Sequence, residues 1–595
     1  MQNSIRLNYA YNCLLYVLLW LIPGVLPVSG KEMPLLLNHH SRELIADGSQ
    51  SFEIPQMSVV PPDTSGVNLT YLGLDLEVSD ISTFVSGVAR YHAISMKDEL
   101  NHLSLELNDG LAVDSVLANG MRCPYSHSAG LLTLHFPSFL QANNWFTFEI
   151  WYHGSTLAGG FFSGISSSKL QAWNISVTWT LSEPYGARDW FPAKQVLTDK
   201  VDSLDMNLTV PSNCLAGSNG LLSGISTLPD GRKSEHWKSW YPIDYYLISF
   251  AVADYQDYSF YTHFAGTNDS LLVQNYLYNR PDYLESVQSQ VDATAKLINL
   301  YSRLFGPYPF PKEKYGHCVA PMGGGMEHQT MTTLSSFDFT LVAHELCHMW
   351  FGDLVTCADW QDIWVNEGFA TYGEYLALEK LQDSSSAARW MQAAHGSALR
   401  SDQGSIFVPE GQIGDPNRIF NSSLSYKKGA SMLHMLRYEI HNDSLFFEAV
   451  KNYRNQFACS TATGADFEHS VEATTGRDFS WFFNQWYYGE GYPQFNVYYD
   501  QANGQFSLLF EQTTSSPKTP MFITSLDIKL LFAGGDTLIR VWIDHSVKKF
   551  DWQISRRVLK TEIDPGNWVL KKCNLTWHEL SRPFALYPNP CADHL

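Results

Sequence analysis

Apolar and polar residues alternate through the first part of this chain, and the period changes further on. From about Lys31 to Tyr261, runs such as Leu103-Ser104-Leu105-Glu106-Leu107 and Phe146-Thr147-Phe148-Glu149-Ile150-Trp151 place apolar side chains at every second position, and Gly, Asn, Asp and Ser separate the runs. A period of two is that of a half-buried strand. Near Tyr283 the spacing shifts to three and four. It predicts a helix over Tyr283–Phe305, stopped by Gly306-Pro307, and further helices over Thr340–Gly352, Asp359–Leu381, Ser385–Ser401 and Tyr426–His441. Beyond Tyr492-Pro493 the alternation returns at Gln505–Gln512, Ser525–Phe532, Thr537–Ile543 and Asp551–Ser555. The pattern therefore predicts a multidomain α+β chain. Its parts are an N-terminal β domain (31–261), a mostly α region (262–491), a small C-terminal β-sandwich (492–580) and a tail (581–595). No fixed-period repeat is apparent.

Composition narrows the class. The 595 residues are 45% hydrophobic and 14% aromatic, with no low-complexity tract, as a core-forming chain requires. The formal net charge of −21 argues against nucleic acid or an anionic membrane as partner, since both reward basic patches. It suits a cationic ligand such as a peptide N-terminus, and equally a solvated acidic surface. Residues 1–30 read as a signal peptide: Arg6 is the only charge, an apolar run spans Cys13 to Val28, and Ser29-Gly30 offer a cleavage site. An uncleaved anchor is the alternative. Pro23 and Pro27 interrupt the run, and no later stretch reaches about 18 apolar residues, so no stable membrane span is expected after signal removal. A secreted, periplasmic or cell-surface protein follows. Cys13 leaves with the signal, and the remaining cysteines are scattered without a C-x-x-C pair, so no disulfide pairing is assigned.

The candidate chemistry lies in Thr340-Leu341-Val342-Ala343-His344-Glu345-Leu346-Cys347-His348. On a helix His344 and His348 share one face and can grip one ion, while Glu345 can reach a water on that ion without being a ligand. A catalytic zinc site needs a third protein ligand and one open position. Glu367, in Trp364-Val365-Asn366-Glu367-Gly368-Phe369-Ala370, follows His348 after eighteen intervening residues, and a return helix of that length can bring it alongside. Cys347, between the histidines, points off their shared face and is expected to be a core thiol; His317 and His434 show no comparable spacing.

With these motifs the chain resembles the zinc aminopeptidase (gluzincin) family that includes aminopeptidase N and leukotriene hydrolase, whose signature is H-E-x-x-H, eighteen residues, then Glu. Asp353 stands where many members carry Asn. The resemblance implies a thermolysin-like catalytic domain holding one Zn2+ on His344, His348 and Glu367. Zinc would lower the pKa of its water, and Glu345 would take the proton and pass it to the leaving amine. Gly324-Gly325-Met326-Glu327-His328 resembles the family's G-x-M-E-N loop. There the glycines let backbone approach substrate, Glu327 would bind the free α-ammonium and Met326 would line the first side-chain pocket; His328 replaces Asn. Glu183, five residues before Arg188, resembles a second amine contact. Ser425-Tyr426-Lys427-Lys428-Gly429 resembles the family's Y-x-K-G element, whose Tyr donates to the oxyanion, a role this gives to Tyr426.

The expected activity is zinc-dependent removal of N-terminal residues from peptides with a free N-terminus. The alternatives are a related zinc hydrolase or endopeptidase, or a catalytically inactive peptide-binding module. Loss of Glu345 or Tyr426 would be expected in an inactive module, and both are present. The tail Leu586-Tyr587-Pro588-Asn589-Pro590 resembles the opening of the sorting domain of type IX secretion. That domain is far longer, so the tail is either its truncated start or a chance likeness.

Overall fold

A computed structural model describes residues 66–156, 162–264 and 269–578. The expected signal peptide and the tail lie outside the described residues. Among the described residues the chain builds an N-terminal β-rich domain, a helical middle region and C-terminal β strands. No helix among them is long and apolar enough to cross a membrane.

The N-terminal alternation becomes an eight-stranded sheet. Val67–Ser79 lies within it, antiparallel to Ser82–Ser95 and parallel to Ser203–Val210, so that Leu74 sits between Ala89 and Met206. Leu72, Leu74 and Leu76 are all buried, as a period of two with one wet face requires. A second, four-stranded sheet contains Ile175–Thr180, paired with Phe250–Ala253 and Ile165–Leu170. Glu183 follows three residues beyond the end of that strand, which carries it toward the middle region.

Beneath the candidate site runs a six-stranded sheet that begins at Tyr255, ahead of the boundary expected at 261/262. Its central pairs are parallel: Ser270–Tyr278 with Lys314–Val319, and Lys314–Val319 with Thr332–Leu334. The first pair is joined through α1 (Pro281–Phe305), the long connection that parallel strands need. Gly325–Met326 closes the sheet as a short antiparallel edge beside Thr332–Leu334. The helices that follow are α2 (Phe339–Cys347), α3 (Trp364–Leu381), α4 (Ser384–Ala398), α5 (Gly429–Ile440), α6 (Asp443–Gln456), α7 (Gly464–Thr475) and α8 (Ser480–Trp486). Every residue of α3 from Trp364 to Leu378 is buried, so it is a core helix without a wet stripe.

The helix expected over Thr340–Gly352 ends earlier, at Cys347. Past His348 the backbone turns at Gly352 (φ 134°), and the Asp353 amide donates back to the His348 carbonyl at 3.0 Å. The C-terminal strands form a four-stranded and a three-stranded sheet. The second is docked on α5 through Glu439, which accepts hydrogen bonds from the Ser525 amide (2.7 Å) and hydroxyl (2.8 Å).

Candidate metal centre and amine pocket

Helix α2 starts cleanly because the Asp338 carboxylate accepts from the Thr340 and Leu341 amides. One turn of pitch then sets His344 over His348, with ring centroids 4.8 Å apart. Each ring is oriented through its Nδ1. That of His344 lies 3.0 Å from Glu374 Oε1, and that of His348 lies 3.0 Å from the Phe351 carbonyl. Nitrogens facing acceptors carry the protons, which turns both Nε2 atoms to the common side. There they meet one oxygen, Glu367 Oε2, at 3.1 Å from His344 and 3.5 Å from His348. Glu367 arrives from the first turn of α3.

The donor chemistry fits zinc. Ligand atoms of His344, His348 and Glu367 all lie within 4.8 Å of one another, and two imidazoles with one carboxylate are an established catalytic zinc set. His348 Nε2 is buried without a hydrogen-bond partner among the described residues. Burial opposes charge on the His348 ring, yet the Glu327 and Glu367 carboxylates prevail and push its pKa up to about 10. His344 is also raised: burial again opposes charge, and contacts with Glu367 and Glu374 outweigh it. Two rings with little solvent access are thus drawn toward positive charge, and a divalent cation among them would supply it.

Glu345 is fully buried on the same helix, and its carboxylate, that of Glu327 and His348 form a second close group. The glycine loop lies directly on it, since a β-carbon at Gly325 would run into the Glu345 carboxylate. Gly323 takes φ 78°, a turn suited to glycine, and the Gly324 carbonyl accepts from the Ser335 amide at 2.8 Å. Met326 is buried in the edge strand. Glu327 Oε1 sits 3.6 Å from His348 Nδ1, and neither of its carboxylate oxygens has a hydrogen-bond partner among the described residues. Glu183, although it comes from the N-terminal domain, forms a third close group with Glu327 and Glu367. His328 fits this loop as a neutral ring: burial pushes its pKa down to about 3, and Nδ1 lies 2.9 Å from the Thr333 hydroxyl.

Tyr426 enters from a π-helical turn, Ser422–Lys428. Its hydroxyl donates to Glu367 Oε1 at 2.6 Å, and its ring stacks 6.0 Å from that of His344. The expected oxyanion donor therefore stands beside the expected third ligand. All ten sequence-assigned residues converge on this region or on the loop and strand that border it. Cys347 is absent from the metal-capable groups; its thiol donates to the Phe369 carbonyl, and burial pushes its pKa well up. Glu374 went unnoticed in the sequence. It lies seven residues, almost two turns, beyond Glu367 on α3, and that period is the signal that could have exposed it.

Residues 289–486 match the model of the peptidase family M1 domain. This segment resembles that domain. It contains every residue assigned above except Glu183. The chain is similar to aminopeptidase 2, mitochondrial, of Saccharomyces cerevisiae, at 27% identity over 58% of this chain and 38% of that protein. It is also similar to the leucyl aminopeptidase of Saccharolobus solfataricus, at 37% identity over 26% of this chain and 20% of that one. The matches span well under half of these curated relatives' own length. An M1 zinc metallopeptidase from Deinococcus radiodurans shares the fold, with a TM-score of 0.61 and 23% identity over 71% of this chain and 93% of that structure.

Proposed function

We propose that this chain is a zinc-dependent aminopeptidase that removes N-terminal residues from peptides, holding one zinc ion on His344, His348 and Glu367. The observation that carries the reading is the meeting of Glu183, Glu327 and Glu367 within 4.8 Å at the face of the histidine pair. Carboxylates this close repel one another in a dry pocket, and a cation relieves them. Zinc answers for one side of the cluster and a substrate α-ammonium for the other.

When bound, zinc would acidify a water and polarise the scissile carbonyl. The protein's own residues do the rest. Glu327 and Glu183 hold the ammonium and set the register, so that only the first peptide bond reaches the reacting position. Glu345 accepts a proton from the attacking water on a carboxylate oxygen and returns it to the leaving nitrogen. Tyr426 turns its hydroxyl to the oxygen that gains charge. Met326 and the glycine backbone border the first side chain. With its apolar N-terminal segment, the chain acts outside the cytoplasm, as a secreted, periplasmic or cell-surface enzyme.

A panel of fluorogenic aminoacyl substrates, each free and N-acetylated, run with and without a chelator, tests this. Free amines should be cleaved at least about 100-fold faster, with activity lost on chelation and restored by zinc. Equal rates on blocked and free substrates would mean an endopeptidase and sink the proposal.

A further inference from the structure

One carboxylate near the centre has no part in the chemistry above. Glu374 is buried on α3, and three segments distant in the sequence hold both of its oxygens. Oε1 faces His344 Nδ1 at 3.0 Å. Oε2 accepts the Trp390 indole N–H from α4 at 2.9 Å and lies 3.7 Å from the Lys427 ammonium on the π-helical turn. Lys427 Nζ also sits 5.0 Å over the Trp390 ring, and the Ser397 and Ser423 hydroxyls, 3.2 Å apart, tie α4 to the same turn.

An indole N–H can only donate, so Trp390 settles which oxygen is left for His344. The Lys427 ammonium lies beside that carboxylate, and a carboxylate partner on Nδ1 makes the far nitrogen a better ligand. Lys427 is also the chain neighbour of Tyr426. The contacts therefore close a circuit: His344 to Glu367, Glu367 to Tyr426, along the backbone to Lys427, then to Glu374 and back to His344. Displacing any member changes the angle at which His344 meets its partner.

We propose that Glu374, clamped by Trp390 and Lys427, is a positioning residue that fixes His344 as a metal ligand and locks the Tyr426 turn to the metal helices. The inference rests on the zinc reading above. Zinc affinity, measured by competition with a chromophoric chelator, and the visible spectrum of the cobalt-substituted protein give its test. Glu374→Gln should weaken zinc binding roughly 10–100-fold, Trp390→Phe about tenfold and Lys427→Met several-fold. Each should also shift the cobalt bands, while Lys427→Arg stays close to wild type. Melting of the metal-free proteins should be nearly unchanged, which separates orientation from packing. If the wild type binds zinc and all three variants keep wild-type affinity and cobalt spectra, the clamp is wrong and the aminopeptidase reading survives. If the variants lose only metal-free stability, the clamp is merely structural and the proposal is overturned. A wild type that takes up no zinc overturns both.

Discussion

Two pairs of buried histidines lie on the helices of the middle region, and their surroundings give them opposite character. His344 and His348 sit among Glu327, Glu345, Glu367 and Glu374, and their rings are drawn toward positive charge. His395 on α4 and His434 on α5 are equally buried, but they face the loop between the last two C-terminal strands, Lys560–Ile563 and Lys572–Trp577. His434 stacks on Trp568 at 4.3 Å, and His395 Nδ1 lies 3.3 Å from Asn567 Oδ1. Burial, with Lys571 nearby, pushes the His395 pKa down to about 4. Burial, His395 and Arg437 hold His434 well below its ordinary value. Burial alone strips an imidazole of its proton; carboxylates around it reverse the outcome. A histidine pair is thus recognised as a cation site by its neighbours, not by its depth.

The contrast can be strained in steps. The largest effect is expected at Glu345, the proposed base: Glu345→Gln should lower kcat roughly 10²–10⁴-fold with bound zinc unchanged by elemental analysis, and full turnover in that variant would overturn the assignment. Next come matched truncations. His344→Ala should abolish zinc uptake and activity together. His434→Ala should keep its zinc and lose roughly 2–4 kcal/mol of stability in urea unfolding, because it leaves a cavity against Trp568. Zinc loss in the second variant would erase the distinction between the pairs.

The smallest effect is on acid stability. The His395 pKa is lower folded, at about 4, than its ordinary 6.5, so the unfolded chain binds the extra proton between those values. Its stabilising contribution is complete above about pH 6.5 and is lost as pH falls toward 4. Unfolding midpoints for wild type and His395→Gln, followed from pH 7.5 to 4.5, should converge as the pH drops. A constant gap between them would remove the buried neutral His395 from the account.

Much of the fold was legible because it is local. The helix expected over Tyr283–Phe305 appears as Pro281–Phe305, and that expected over Ser385–Ser401 as Ser384–Ala398, since apolar spacing and stop signals act within a few residues. The strands Ser270–Tyr278 and Lys314–Val319 did not stand out. Lys314–Val319 is buried along its whole length in a parallel sheet, so it has no wet face and no alternation. Helices α6 to α8 were covered only by the general helical character of their region.

What the sequence determined by itself is the histidine pair with its adjacent carboxylate. Helical pitch dictates that His344 and His348 share a face and that Glu345 flanks them, wherever the helix is placed. Tertiary structure alone decided what surrounds them. Glu183 arrives from the end of a strand in another domain, and Trp390 and Lys427 reach Glu374 from separate segments. Their convergence depends on how sheets and helices pack, and neither period nor spacing along the chain encodes a distance across the core.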